Sequence, residues 1–223
     1  MRKLKNSQLF MIGLVIIVIA ILILSYNYLL DKKKTVYTKM SIKLYESEVS
    51  ENIEKEETEK VENDNVEAIN QVQVVENKNH ENQNKISFEY IGLIEIPKIN
   101  LKKGFLDPSS SYNKVDYNVT VINTSLFPDV DLGNFILAAH SGNAYNSYFG
   151  KLYKLKKGDV AYIYYKGIKY EYKIVNIYEV PKTGEVNIYR NFDATTLTLI
   201  TCTLNSNTKQ TVYIAELYKK SKY

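Results

Sequence analysis

Hydrophobic and polar positions change rhythm twice along this chain, and the changes divide it into three parts. Residues 9–30 contain no charged side chain, and 9–24 are apolar almost without a break. About 20 such residues, rising ~1.5 Å each as a helix, cross a hydrocarbon core of ~30 Å. The run is longer than the apolar core of a signal peptide. Bulky Ser25-Tyr26-Asn27-Tyr28 follows where a small-x-small cleavage site would be needed. An uncleaved anchor over 9–30 is therefore expected, behind a short tail of residues 1–8. The second part, 31–84, is charged, and 46–81 is rich in Glu, Asn and Lys without Gly, Pro or aromatics. Its scattered Val and Ile hold no heptad, which predicts a solvated spacer, largely disordered or helical.

From residue 85 the pattern becomes short apolar and aromatic runs broken by Gly, Pro, Asn and Asp. Strands are predicted over 87–95, 101–105, 119–121, 134–140, 160–165, 168–180, 195–202 and 211–217. Lys166-Gly167 reads as a tight hairpin, with Tyr162 and Tyr164 expected to face the strand that carries Tyr170 and Tyr172. Residues 107–117 read as loop and 148–155 as holding one helical turn. The dozen residues from 181 to 193 are long for a simple connector. This succession means an all-β barrel or sandwich of about 140 residues, large enough for a real core.

Charge adds little. A net charge of +4 is too small to argue for nucleic acid. Lys32, Lys33, Lys34, Lys39 and Lys43 after the apolar run outnumber Arg2, Lys3 and Lys5 before it, so flanking charge does not orient the anchor. With one cysteine in the chain, no intramolecular disulfide exists to report an oxidising compartment.

That cysteine, Cys202, ends the run Thr195-Thr196-Leu197-Thr198-Leu199-Ile200-Thr201, whose two faces are both suited to cover. A lone cysteine is more often a small buried hydrophobe than a nucleophile. His140, which ends the predicted strand 134–140, is the other residue that matters; the second histidine, His80, lies in the spacer. A thiol and an imidazole at strand ends are the minimum for thiol nucleophilic catalysis. They leave a zinc site two ligands short, and no metal or cofactor is expected.

Ala138-Ala139-His140-Ser141-Gly142, followed some sixty residues later by Leu199-Ile200-Thr201-Cys202, resembles the sortases. These are membrane-anchored cysteine transpeptidases of Gram-positive bacteria. The resemblance covers residues 87–217 and includes Ile94-Glu95-Ile96-Pro97-Lys98-Ile99, similar to the family's first strand. It implies a closed eight-stranded β-barrel with short helices in its loops, behind the single transmembrane helix. It also implies one membrane pass with the catalytic domain, 85–223, outside the cell. Cys202 would attack the threonine carbonyl of an LPxTG-like sorting signal on a secreted protein. His140 would handle protons. An amine of a peptidoglycan precursor or a pilin would accept the acyl group.

One departure stands out. Where the family pattern R-x-x-V-x-A puts arginine five residues before Ala215, this chain has Gln210. An amide donates without charge, and charge-assisted bonds are roughly twice as strong. Two residues are candidates for this third role: Gln210 itself, and Arg190, the domain's one arginine, in the loop before the cysteine strand. No lid motif of Asp-Pro-aromatic type precedes the first strand, which speaks against the pilin-polymerising class, and no acidic cluster calls for calcium. Two further classes stay open. One is a sortase-like barrel that binds sorting signals with little turnover; the other is a cysteine hydrolase of different fold.

Overall fold

Strand β1 (Gly92–Ile96) stops at Pro97, which lacks the amide hydrogen a central ladder needs. A 3-10 turn, Pro97–Ile99, then reverses the chain into β2 (Leu101–Phe105). The other strands are β3 (Thr120–Val121), β4 (Asn134–Ala138), β5 (Val160–Tyr165), β6 (Ile168–Pro181), β7 (Thr196–Cys202) and β8 (Lys209–Lys222). A second 3-10 turn, Leu152–Lys154, precedes β5, within the expected helical stretch. Helix α1 (Asn6–Glu62) leads the chain. The structure, a computed structural model, describes residues 6–62, 89–144 and 146–223. The basic tail over 1–5, the spacer over 63–84, the boundary at 85 and the start of the first predicted strand at 87–88 lie outside the described residues.

The chain divides into two compact units, Met1–Met40 and Ser41–Tyr223. In the first, apolar side chains including Ile16, Ile17, Leu22 and Leu24 are exposed along the helix. Among the described residues no helix is long and apolar enough to cross a membrane.

In the second unit the strands form one sheet in the order β2-β1-β5-β6-β8-β7-β4-β3. A single parallel bridge, Phe105 to Val119, links the two edges and nearly closes the barrel. All neighbours are antiparallel except β4 and β7, which run parallel with Ala138 opposite Ile200. Alternation sends Ile94, Phe105, Phe135, Leu137, Tyr172, Leu197, Leu199 and Tyr213 into the interior, all nearly or fully buried.

Two local features set which residues face outward. The β5–β6 turn has positive φ at both Lys166 and Gly167, as a type I′ hairpin requires. It pairs Tyr165 with Ile168, so Tyr170 lies opposite Ile163 and Tyr172 opposite Ala161. Tyr162 and Tyr164 face that strand, as expected, but lie opposite Glu171 and Lys169 and not opposite Tyr170 or Tyr172. An even-length turn forces this result, because it pairs even positions with odd ones. The second feature is a register shift in β6 between Ile174 and Asn176. Before it, Tyr170, Tyr172 and Ile174 point inward; after it, Ile177 packs on the interior while Tyr178 and Val180 join an outer apolar cluster. A bulge of one residue switches faces in this way.

Part of the expected solvated spacer is packed. Ile42 and Tyr45 of α1 are buried against Tyr90, Leu93, Leu106 and Tyr164. Glu46 pairs with Lys102 at 2.6 Å, and the Tyr45 hydroxyl donates to the Tyr164 carbonyl at 3.4 Å. Beneath this cluster, Gly92 has no room for a side chain. A Cβ there would lie 2.2 Å from Phe105 Cζ and 2.6 Å from the Tyr164 carbonyl oxygen. The ring could move, but the backbone oxygen is fixed by the β1–β5 ladder. Gly92→Ala should therefore destabilise the barrel by about 1–3 kcal/mol, seen as a lower urea midpoint; an unchanged midpoint would contradict this packing.

Candidate active site

The outer face carries Asn134, Ile136 and Ala138 on β4 and Thr196, Thr198, Ile200 and Cys202 on β7, with His140 two residues past the end of β4. The threonines are fully buried polar residues, and their hydroxyls are satisfied. Thr196 and Thr198 both donate to Asn134 Oδ1, at 3.0 and 2.8 Å, using the two lone pairs of one amide oxygen. Farther along, the Ala139 amide donates to the Ile200 carbonyl at 3.3 Å. The Thr201 hydroxyl donates to the Ala139 carbonyl at 2.9 Å. These bonds hold the two strand ends together one residue short of His140 and Cys202. Each is two residues beyond the Ala138–Ile200 pair, so the end of β7 and the segment just past β4 come to the same rim.

Their side chains are not hydrogen-bonded to each other. His140 Nε2 instead lies 3.0 Å from Asp116 Oδ1, both groups partly exposed. With a carboxylate as acceptor, the Nε2–H donates and Nδ1 is the nitrogen free to exchange a proton. The loop after His140 folds tightly: Gly142 has φ +100°, the Phe149 amide donates to the His140 carbonyl at 3.0 Å, and Ser147 Oγ donates to the Ser141 carbonyl at 2.8 Å. Behind Cys202, a cavity of about 20 Å³ is lined by Phe149, Tyr153, Thr201, Leu204 and Tyr213 among others. It has room for about one water. Tyr213 stays neutral there, because burial, then the Glu179 charge, pushes its phenol up to about 12.

Gln210 lies directly opposite Cys202 in the β7–β8 ladder and opposite Val180 in the β6–β8 ladder. Antiparallel partners point to the same side, so its amide stands beside the thiol. Its Oε1 is buried without a hydrogen-bond partner among the described residues. Arg190 is elsewhere. Its Nη1 donates to the carbonyls of Leu132, Asn191 and Ala194, at 3.2 to 3.4 Å, where β4 and β7 begin. Cys202 ends β7 six residues after its first, about 20 Å away at ~3.3 Å per residue. The expectation that Arg190 folds over the thiol is corrected by these three bonds.

Lys182 is not among the residues the sequence singles out. Its ammonium donates to Cys202 Sγ at 3.7 Å. It follows Pro181, the last residue of β6, and its amide donates to the Thr208 carbonyl at 2.8 Å. The loop it opens runs back over the outer face. Val186 and Ile188 pack on Val180, Val212 and Ile214, while Tyr178 Oη donates to the Asn187 carbonyl at 2.9 Å and accepts from the Tyr189 amide at 2.8 Å. Val212 is one outward position from Gln210, so this apolar wall begins beside the thiol. Among the described residues no group of His, Cys, Asp and Glu could hold a metal ion.

A nearly closed β-barrel with a thiol and an imidazole at the paired ends of two parallel strands defines a class of cysteine-nucleophile proteins. The Sortase domain model matches residues 94–218, more than half of the chain, and the chain belongs to the sortase family. It is 32% identical over 131 residues to sortase A of Bacillus anthracis, covering 58% of this chain and 60% of that relative. The solved sortase A of Listeria monocytogenes superimposes with a TM-score of 0.51 at 27% identity, over 60% of this chain and 90% of that one. The sortase D5 transpeptidase of Clostridium perfringens gives a TM-score of 0.50 at 26% identity, over 59% and 80% of the two chains.

Proposed function

We propose that this protein is a cysteine transpeptidase held at the cell membrane by residues 9–30, with its barrel outside the cell. What supports the reading is the pairing of β4 and β7, which brings Cys202 and the segment just past β4, His140 included, to one rim of the barrel. The charge-free run of 9–30 in the sequence supports the anchor, although no helix among the described residues is long and apolar enough to cross a membrane. The substrate class is a secreted protein with an LPxTG-like C-terminal signal, and the half-buried Val186 and Ile188, which pack on Val180, Val212 and Ile214, offer apolar contact for such a peptide.

The Cys202 thiol gives its proton to His140, and Sγ attacks the threonine carbonyl carbon. The carbon–sulfur bond forms and the π pair moves onto oxygen. On collapse the carbon–nitrogen bond breaks, and His140 gives its proton to the departing amine. The acyl-thioester then meets an amine of a cell-wall precursor or a pilin. His140 takes the amine proton as the new amide forms and the thiolate leaves. The test incubates the full chain with a peptide library and acceptor amines, reading amide products by mass spectrometry. Hydrolysis products alone, with every amine tried, would sink the transferase assignment.

Gln210 favours a second reading, a barrel that binds sorting signals and turns them over slowly. Under it, the peptide binds but no acyl-thioester accumulates on Cys202.

Asp116 gives a smaller effect that separates orientation from chemistry. An exposed ion pair contributes ~0.2–1 kcal/mol, so Asp116→Asn should slow transfer by about two- to five-fold. Steady-state kinetics checks this; a loss beyond about a hundredfold would mean Asp116 does more than orient the ring.

A further inference from the structure

We propose that Lys182 is the cation of this active site, holding the Cys202 thiolate and then the oxyanion of the tetrahedral intermediate. The proposal rests on the acyl-transfer reading above and assigns a residue to it. Its first support is contact: the ammonium is hydrogen-bonded to Cys202 Sγ at 3.7 Å. Its second is position. Val180, Gln210 and Cys202 form one row across β6, β8 and β7. Lys182 is two residues past Val180, with the ladder continued by its own amide bond to Thr208, so it points to the same side of the sheet. The register shift between Ile174 and Asn176 is what makes this the outer face. Without that extra residue, Val180 and Lys182 would point toward the interior and away from the thiol.

The third support is that other cations are engaged elsewhere. Lys209 is on the opposite side of β8 and paired with Glu179 at 2.9 Å. Arg190 is bonded to carbonyls at the far end of β7. Lys182 makes no ion pair with a carboxylate among the described residues, so its charge is available to the thiol. Gln210, in the place where the family has arginine, leaves an uncharged amide beside the nucleophile. In the step itself, the sulfur electron pair forms the bond to carbon and the carbonyl π pair moves to oxygen. Negative charge thus passes from sulfur to an oxygen bonded to the carbon under attack, a short displacement. A flexible four-carbon stem lets one ammonium follow it, keeping its own proton throughout.

Two readouts test this on the full chain. The first is amine transfer to a sorting-signal peptide by Lys182→Met, Lys182→Arg and Lys182→Met/Gln210→Arg. Removing one oxyanion donor costs about 10²–10³ in rate. Lys182→Met should lose that much, Lys182→Arg should stay within about tenfold of the parent, and Gln210→Arg should recover part of the loss. The second is the alkylation rate ratio of Cys202 with anionic iodoacetate and neutral iodoacetamide, which needs no turnover. A cation at the thiol raises this ratio, so it should fall several-fold in Lys182→Met and hold in Lys182→Arg. A role in folding alone would not move it with charge. Parent-like transfer and ratio in Lys182→Met would overturn the proposal. So would equal impairment of the Met and Arg variants with an unchanged ratio. Should the parent transfer no peptide at all, the transpeptidase reading fails, and the alkylation ratio still decides the place of Lys182.

Discussion

Cys202→Ala should abolish peptide cleavage, amine transfer and thiol labelling together, while the barrel melts close to the parent. Cys202 is the only cysteine, so labelling by a thiol reagent should drop from one equivalent to none. The fold should tolerate the change because the side chain is at the rim, partly exposed, and Ala removes one sulfur atom rather than a core-filling group. Strand pairing here depends on the Thr201 hydroxyl and the Ala139 carbonyl, which the substitution leaves in place. No other thiol can take its place, since Cys202 is the only cysteine in the chain. Activity should therefore reach the assay background, not a reduced plateau. Mass spectrometry of the parent with substrate peptide and no acceptor should show an acyl adduct that hydroxylamine removes, as a thioester requires. Transfer retained by Cys202→Ala would end the covalent mechanism.

The parts of this site that depend on period-two alternation were readable from the sequence. The run from Thr195 to Cys202 and the strand ending near His140 both appear close to where expected, because continuous apolar and threonine-rich stretches have few alternatives to a covered strand. Family membership follows the same two motifs. The missing parts depend on one-residue offsets. The Ile174–Asn176 bulge leaves no residue signal in Tyr172-Lys173-Ile174-Val175-Asn176, yet it decides that Val180 and Lys182 face the thiol. Lys182 was thus hidden among many lysines, and only the ladder from Val180 through Gln210 to Cys202 separates it from them. Arg190 was attractive as the only guanidinium of the domain. Parallel strands place the loop before β7 at the opposite end from its last residue, and the carbonyls of Leu132 and Ala194 hold it there. The packed segment around Ile42 and Tyr45 was illegible for another reason. Two apolar residues in a charged helix become a contact only because Tyr90, Leu93 and Tyr164 present a matching surface.

His140→Ala should lower peptide transfer by about 10²–10⁴, the usual worth of a positioned acid–base group. The loss should depend on the leaving group, which is what distinguishes proton transfer from positioning. An amide substrate expels an amine that must be protonated as the carbon–nitrogen bond breaks. A peptide thioester expels a thiolate that needs no proton. Acylation of Cys202 by the thioester should therefore be restored in large part in His140→Ala. Transfer from the acyl-enzyme to an amine should remain slow, since the incoming amine still has to lose a proton. His140→Gln should behave like the alanine variant, because an amide keeps hydrogen-bonding shape without exchanging protons. Added imidazole should recover part of the amide activity in His140→Ala, where the cleft left at the partly exposed ring is open to solvent. A loss that is the same for amide and thioester would instead mean that His140 holds the strand end or the peptide in place. In that case the proton would have to travel through another group at the rim, and Asp116→Asn, mild in the present reading, would become the severe variant.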